Sequence, residues 1–150
     1  MPILTIPTQF GPLTLWEDDS AIVRLDWDGD GTDDTPLLVE VGRQVQAYAA
    51  GTLTEFDLPL RIKGSDFQRD VCAQMSAIPF GETVTYGDIA KALNQSAQAV
   101  GSACGGNPIP VIIPCHRVLG AKGLTGFSGK GGVETKVALL RHEGADGFLI

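Results

Sequence analysis

The chain of 150 residues is 43% hydrophobic and 19% charged and has a net charge of -7 at pH 7, which fits one ordinary domain or two small packed subdomains. It has no apolar stretch of about 18 residues, and its N-terminus has no basic segment followed by an apolar run, so we expect neither a membrane span nor a secretory signal. Its three cysteines lack paired spacing, which argues against a disulfide framework and predicts a cytoplasmic location.

The first 64 residues are predicted to form a small sheet and one helix. Three segments with clustered or alternating apolar residues are predicted strands: 4–6, 13–15 and 22–25. Thr35 then supplies an N-cap and Pro36 the first helical residue, apolar residues follow at helical spacing, and Gly51 is expected to end the helix. Residues 26–31 resemble the opening of an EF-hand loop, but the twelfth position is not a glutamate, so we interpret them as an acidic turn.

From residue 65 onward the pattern is helical. Ser65 is a predicted N-cap, Thr85 and Asp88 form a predicted capping box, and Ser96 caps a further short helix. The two short helices that begin after Thr85 and Ser96 are joined by a tight turn, which is typical of a helix-turn-helix. A helical hairpin that serves only as core has the same pattern.

Two further segments complete the predicted organisation. Residues 52–64 contain proline between leucines and are expected to form a crossing linker. A last helix is predicted over 134–142, with Val137 and Leu140 facing inward and Gly144 as its stop.

The candidate nucleophile is Cys115, which stands between Pro114 and His116 at the end of an apolar run, 109–113. An imidazole beside a thiol can take its proton, and the thiolate is the nucleophile. Pro114 removes a backbone donor and keeps the residue before it extended, so we expect the cysteine on a stiff, non-helical turn. An isolated Cys-His pair is more often a buried apolar filler, so the surrounding sequence decides between the two.

Four segments, in this order, resemble the active-site region of the O6-alkylguanine-DNA alkyltransferases (methylated-DNA–protein-cysteine methyltransferases): 99–110, 114–118, 124–129 and 139–144. The resemblance is dense between residues 65 and 144 and loose before them. It implies an α/β fold in which residues 1–64 form an RNase H-like sheet-plus-helix subdomain. Residues 65–150 would then form a mainly helical, winged-helix-like domain with a helix-turn-helix, which binds DNA and carries the active site.

The resemblance also implies the reaction and its catalytic residues. The alkyl group of O6-alkylguanine in DNA, with O4-alkylthymine as a further candidate substrate, would pass irreversibly to Cys115, once per molecule. His116 would take the thiol proton, directly or through a water, and Glu143 would orient the imidazole. Asn107 would hold the recognition helix and the active-site strand in register, with a plain turn asparagine before proline as the alternative.

Five residues are expected to contact the substrate base. Tyr86 would help to rotate the nucleotide out of the duplex, because a base within the stack cannot reach a buried thiol. The carbonyl of Val118 would accept from the exocyclic amine of guanine. Phe127 and Ser128 would form the pocket wall, with the Ser128 N–H donating to O6. Lys136 matches a family lysine near the site, although a solvated helix lysine fits the pattern equally well.

The predicted DNA-binding residues lie on the second helix of the helix-turn-helix: Gln98, Ala99, Gly101 and Ser102. Gln98 stands where the family usually has an arginine that fills the space left by the extruded base. Residues 1–64 carry 11 acidic and 4 basic side chains, a balance of -7, whereas residues 65–150 carry 7 of each, a balance of zero. The acidic first segment is therefore expected to face away from DNA, and the neutral second segment predicts weak, salt-sensitive non-specific binding.

Two other functions fit the same residues. One is a lesion-sensing DNA-binding protein with slow or absent transfer, which Gln98 keeps open, and the other is a Cys-His-Glu hydrolase. No organic cofactor is expected, nor any metal, because residues 1–64 lack the cysteines and histidines by which some family members hold zinc. The expected partner is double-stranded DNA that contains O6-alkylguanine, no membrane is involved, and the expected state is a monomer.

Overall fold

The computed structural model describes residues 1–120 and 132–145. By the density of its internal contacts the chain divides into two compact units, Met1–Lys63 and Gly64–Ile150. We describe each unit by itself.

The first unit is an antiparallel sheet covered by one helix. Its strands, in the spatial order β1-β2-β3, and its helix are β1 (Ile3–Ile6), β2 (Leu13–Asp18), β3 (Ala21–Asp26) and α1 (Pro36–Ala49). The three predicted strands are confirmed, and so is the helix. The hydroxyl of Thr35 accepts from the N–H of Leu38 at 3.1 Å, which satisfies one of the free donors of the first turn. Gly51 follows the helix with a φ of +83°, a conformation that glycine adopts without strain.

The core of the first unit forms where α1 packs on the sheet. Leu15 and Ile22 from the sheet and Leu38 and Val41 from the helix have no exposed surface. Asp26, the first residue of the EF-hand-like segment, already accepts from the indole of Trp16 and the guanidinium of Arg24. That engagement supports an acidic turn, and within the described residues no group of three or more His, Cys, Asp or Glu side chains is arranged to hold a metal ion.

The second unit is mainly helical, and the ends of its helices follow the predicted caps. Its described elements, in chain order, are α2 (Asp66–Ser76), β4 (Val84–Thr85), α3 (Tyr86–Leu93), α4 (Ala97–Gly105), a single 3-10 turn (Cys115–Arg117), β5 (Val118–Leu119) and α5 (Val133–His142). Strand β4 pairs in parallel with β5. Ser65 caps α2, Thr85 and Asp88 form the predicted capping box at α3, and Ser96 caps α4. Asn94, the first of the three residues between α3 and α4, has a φ of +55°, which makes the tight turn of the helix-turn-helix.

The prediction for the buried face of α5 was partly wrong. Leu140 is buried as expected, but Val137 is only half-buried, and Lys136 and Leu139 occupy the inner face with it. The sequence pattern misleads here because a lysine is normally assigned to solvent, whereas Lys136 finds a buried carbonyl partner. Among the described residues no helix is long and apolar enough to cross a membrane.

Candidate active site

The segment that carries Cys115 is a buried chain of tight turns. Val111 has a φ of +72°, and the N–H of Ile112 donates to the carbonyl of Pro110 at 2.9 Å, so three residues close a γ-turn. A positive φ is rare for a β-branched residue and strains the backbone. The N–H of Cys115 in turn donates to the carbonyl of Ile113 at 2.8 Å. Consecutive turns of this kind place the cysteine at the start of the 3-10 turn rather than in a strand or helix.

Asn107 joins the end of α4 to the cysteine segment. Its Nδ2 donates to the carbonyl of Ile113 at 2.8 Å, and its Oδ1 accepts from the N–H of Ile109 at 3.0 Å. The side chain also forms a hydrogen bond with Cys115 that lowers the pKa of the thiol. The asparagine is therefore a buried clamp on the turn, and not the plain turn residue that was the alternative.

The Cys115 thiol is protonated at neutral pH. The residue is 5% exposed, and burial raises its pKa from 9.0 to about 11, because a low-dielectric surrounding disfavours the thiolate. The Asn107 hydrogen bond and the Lys136 charge act in the opposite direction but do not offset burial. A nucleophilic thiolate at this position therefore requires a base that removes the proton during the reaction.

The structure brings His116 and Glu143 together. Both side chains are fully buried, and Nε2 of the imidazole lies 2.8 Å from Oε2 of the carboxylate. Burial lowers the pKa of His116 below its ordinary 6.5, against the opposing effect of Glu143, so the ring is neutral at neutral pH. An ionised carboxylate only accepts, so with Glu143 in that form Nε2 would carry the ring proton and Nδ1 would have the lone pair. Nδ1 is buried and makes no hydrogen bond to residues 1–120 or 132–145.

Arg117 belongs to the same cluster and was missed by the sequence reasoning. Its Nε and Nη2 contact the two oxygens of Glu143 at 2.7 and 3.1 Å, and its Nη1 donates to the carbonyl of Ile78 at 2.7 Å. The signal was available in the sequence: an arginine directly after the Cys-His pair, behind a run of apolar residues, must find a partner if it is buried.

Lys136 is 1% exposed, so the alternative of a solvated helix lysine is wrong. Its Nζ donates to the carbonyl of Val118 at 2.6 Å and lies 6.0 Å from the centre of the Tyr86 ring. Burial lowers its pKa, and the neighbouring Cys115 opposes that shift. Lys136 thus lies beside two other predicted substrate-binding residues, Val118 and Tyr86. The other two, Phe127 and Ser128, lie outside the described residues.

The predicted DNA-binding residues occupy the first two turns of α4. Gln98 and Ser102 are exposed, whereas Ala99 and Gly101 are half-buried. A β-carbon at Gly101 would meet no atom of residues 1–120 or 132–145 within 4 Å, so within that part of the chain the surface there is open. The exposed side of these turns has no charged side chain, which leaves hydrogen bonding and close backbone approach as its means of contact.

Two domain models of one protein family match this chain, one in each unit. The family model for the 6-O-methylguanine DNA methyltransferase DNA-binding domain matches residues 66–145, and that for the ribonuclease-like domain of the same proteins matches residues 4–62. A methylated-DNA–protein-cysteine methyltransferase from Mycobacterium tuberculosis is 43% identical over 93% of this chain and 90% of its own length. One from Methanosarcina acetivorans is 47% identical over 71% and 69%.

Solved structures agree with the sequence comparison. The M. tuberculosis O6-methylguanine methyltransferase superposes with a TM-score of 0.85 at 41% identity, covering 96% of this chain and 93% of that one. Its complex with DNA gives 0.86 at 41% identity, over 97% and 94%. These matches confirm the predicted fold class, an N-terminal ribonuclease-like subdomain followed by a helical DNA-binding domain. The chain belongs to the 6-O-methylguanine DNA methyltransferase family.

Proposed function

We propose that this protein repairs DNA directly by moving the alkyl group of O6-alkylguanine to Cys115. The observation that carries the proposal is a buried cysteine followed by a histidine whose ring contacts a buried glutamate, in a chain that is 43% identical to a methylated-DNA–protein-cysteine methyltransferase. Double-stranded DNA that contains the lesion is the substrate and partner. The same relationship does not favour the lesion-sensor alternative, since the cysteine that transfer requires is present.

The reaction needs no group beyond the side chains and the lesion. Sγ of Cys115 attacks the alkyl carbon, an S–C bond forms, and the C–O6 bond breaks with its electron pair passing to guanine. The thiol proton passes to Nδ1 of His116, and the imidazolium that results is stabilised by Glu143, 2.8 Å from Nε2. Guanine takes up a proton as it leaves. A thioether has no thiolate to regenerate, so each molecule acts once.

The resting protonation states leave His116 available as a base, although the same pKa shifts make the transfer of a proton from Cys115 uphill in the resting site. Burial raises the pKa of Cys115 to about 11 and lowers that of His116, so the resting pair is a thiol and a neutral imidazole. The imidazole is then a competent base, and Lys136 lowers the pKa of the thiol. A general base in this position contributes on the order of a hundredfold to ten-thousandfold in rate.

Recognition of the extruded base is proposed for the residues on the Tyr86 side of the site. The carbonyl of Val118 already accepts from Lys136, but a carbonyl has two lone pairs, so a guanine amine can still be bound there. Tyr86, half-buried at the first position of α3, would stack on or contact the base. Phe127 and Ser128 would supply the facing wall and the donor to O6.

DNA contact is proposed for α4, through Gln98, Ala99, Gly101 and Ser102. The N-terminal position of Gln98 in the second helix of a helix-turn-helix matches the part of such helices that reaches base edges. With a zero net balance over residues 65–150, phosphate contacts contribute little, and non-specific affinity should fall readily with salt. We further propose a cytoplasmic, monomeric protein.

The experiment that tests this function is intact mass measurement after incubation with an O6-methylguanine duplex. The protein should gain one methyl group, mapped to the peptide with Cys115, and reach a plateau at one group per molecule. Cys72 and Cys104 are buried and serve as internal controls that stay unmodified. Multiple turnovers, or transfer that persists in Cys115→Ser, would contradict the proposal.

A further inference from the structure

The side chain of Gln68 joins the first turn of α2 to the last turn of α4. Its Nε2 donates to the carbonyl of Ala103 at 2.8 Å and to Sγ of Cys72 at 3.7 Å, and an amide nitrogen has two N–H groups for two such acceptors. Gln68 is half-buried, and the hydroxyl of Ser65 accepts from its backbone N–H at 3.0 Å. Because the residue is held at its backbone and at its amide, it is an ordered link between the two helices.

The segment that Gln68 contacts leads directly to Asn107. Two glycines, Gly105 and Gly106, lie between Ala103's turn of the helix and the asparagine, and glycine is the residue type with the greatest backbone freedom. A β-carbon at Gly106 would lie 3.5 Å from Oε1 of Gln68, so the Gln68 amide packs against this glycine. The conformation of the segment therefore depends on contacts from outside it, and Gln68 supplies two of them.

The position of Asn107 in turn affects the Cys115 thiol. Asn107 accepts from the N–H of Ile109 at 3.0 Å and donates to the carbonyl of Ile113 at 2.8 Å. It also forms the hydrogen bond that lowers the pKa of Cys115. Hydrogen bonds weaken steeply with distance and angle, so a shift of the segment that carries Asn107 weakens all three contacts. A group that fixes this segment therefore acts on the thiol through Asn107.

We propose that Gln68 is a positioning residue that fixes the end of α4 and thereby holds the Asn107 side chain on the Cys115 thiol. The proposal rests on the alkyl-transfer function given above and adds to it a residue outside the catalytic cluster. Without the Gln68 amide, the carbonyl of Ala103 keeps its contact with the N–H of Gly106 at 3.1 Å, so the helix remains but its end is held less firmly. Fewer thiolates then form at a given pH, and alkyl transfer slows.

A merely structural role for Gln68 predicts the opposite effect at the thiol. Cys115 is 5% exposed, so a general loosening of the second unit would expose it and speed its modification by a thiol reagent. The loss of positioning raises the pKa of Cys115, because the bond from Asn107 stabilises the thiolate, and this slows the same modification. The direction of the change in rate therefore separates the two roles.

The test compares Gln68→Met, which keeps the length of the side chain and removes the amide, with Gln74→Met as a matched control. Gln74 is half-buried further along the same helix. In Gln68→Met, the rate of Cys115 modification by a small uncharged reagent, mapped by mass, should fall about twofold to tenfold at each pH below the pKa of the thiol. That range corresponds to one neutral hydrogen bond. Alkyl transfer from free O6-benzylguanine should fall by the same factor, and Gln74→Met should match the wild type in both measurements.

Amide hydrogen exchange reports on Asn107 without DNA or a thiol reagent. The N–H of Ile109, which Asn107 accepts from, should exchange about twofold to tenfold faster in Gln68→Met. The N–H of Leu38, bonded to Thr35 in the first unit, should exchange at the wild-type rate. If Gln68→Met does not fold, Gln68→Ala is the variant to use, because alanine favours a helix.

Two results overturn the inference: unchanged exchange at Ile109 in the folded variant, or modification of Cys115 at or above the wild-type rate. Neither measurement depends on the alkylated substrate. If Ile109 and Cys115 respond as expected but wild-type Cys115 takes no alkyl group from lesion-containing DNA, the proposed function fails and the positioning role of Gln68 stands.

Discussion

Replacing Asn107 with alanine should destabilise the second unit and should also slow the reaction of the Cys115 thiol with electrophiles. The asparagine accepts from the N–H of Ile109, donates to the carbonyl of Ile113 and holds a hydrogen bond to Cys115. The Ile113 carbonyl keeps a second partner, the N–H of Cys115 at 2.8 Å. The variant therefore leaves the buried N–H of Ile109 without this acceptor, whereas the carbonyl of Ile113 loses one of two donors.

The magnitudes follow from those contacts. A stranded buried N–H costs about 1–3 kcal/mol, and the lost bond to an otherwise satisfied carbonyl about 0.5–1.5 kcal/mol, so Asn107→Ala should lower the free energy of unfolding by about 1.5–4.5 kcal/mol. A hydrogen bond to a charged group is worth about 1.5–3 kcal/mol, so the loss of the bond to the thiolate should lower the thiolate population ten- to a hundredfold at a fixed pH.

Two measurements check these values. Denaturant unfolding gives the stability, and the pH dependence of Cys115 modification by a small uncharged thiol reagent, mapped by mass, gives the thiolate population. Gln44→Ala is the matched control, because Gln44 is a buried amide that clamps both the N–H and the carbonyl of Asp57, at 2.9 and 3.0 Å, in the first unit. The reasoning is refuted if folded Asn107→Ala modifies Cys115 at the wild-type rate, or if Gln44→Ala slows it equally.

Three further outcomes are expected. The free energy of unfolding of Val111→Gly should exceed that of Val111→Ala by about 1 kcal/mol, because glycine tolerates a φ of +72°. Alanine is ordinarily the more stabilising of the two residues, so equal stability of the two variants in denaturant unfolding would mean that the turn is unstrained. Burial raises the pKa of Cys104 to about 12 and of Cys115 to about 11 from 9.0, so the unfolded chain loses these protons at a lower pH than the folded chain. The free energy of unfolding should therefore fall above pH 9, by up to about 1.4 kcal/mol per pH unit for each thiol. Cys104→Ala should remove the contribution of one thiol to this slope. Gln98→Arg should speed repair of duplex DNA and leave the reaction with free O6-benzylguanine unchanged, since a free base needs no extrusion; an unchanged or slower duplex reaction would mean that Gln98 does not limit repair.

The parts of the fold that follow local rules were predictable from the sequence. Thr35, Ser65 and Ser96 each satisfy a free donor three residues ahead, and this chemistry depends only on residue type and spacing. The caps are encoded over a few residues, and no tertiary contact is needed to infer them. The grouping of Cys115, His116 and Glu143 was predicted only through the family resemblance of several separated segments, because the Cys-His pair alone is also typical of a buried filler.

The features that escaped prediction are those that tertiary contacts decide. Lys136 is buried because the carbonyl of Val118 lies opposite it, and Arg117 because the carboxylate of Glu143, 26 residues away, meets it. Local pattern assigns both cations to solvent. The positive φ of Val111 had no signal either, since a β-branched residue is the last expected in a γ-turn. The two buried cations and the strained turn at this site depend on contacts between segments that are distant in the sequence.

Burial sets two opposing requirements at Cys115, and the neighbouring residues resolve them. A buried thiol with a pKa of about 11 stays protonated at neutral pH, which protects a residue that can be used once from free electrophiles and oxidants. The same burial would make it inert toward the lesion. Asn107 and Lys136 stabilise the thiolate, and His116, neutral through its own burial, accepts the proton. The nucleophile is therefore generated where the lesion is bound, and its reactivity depends on the proton path rather than on a resting thiolate.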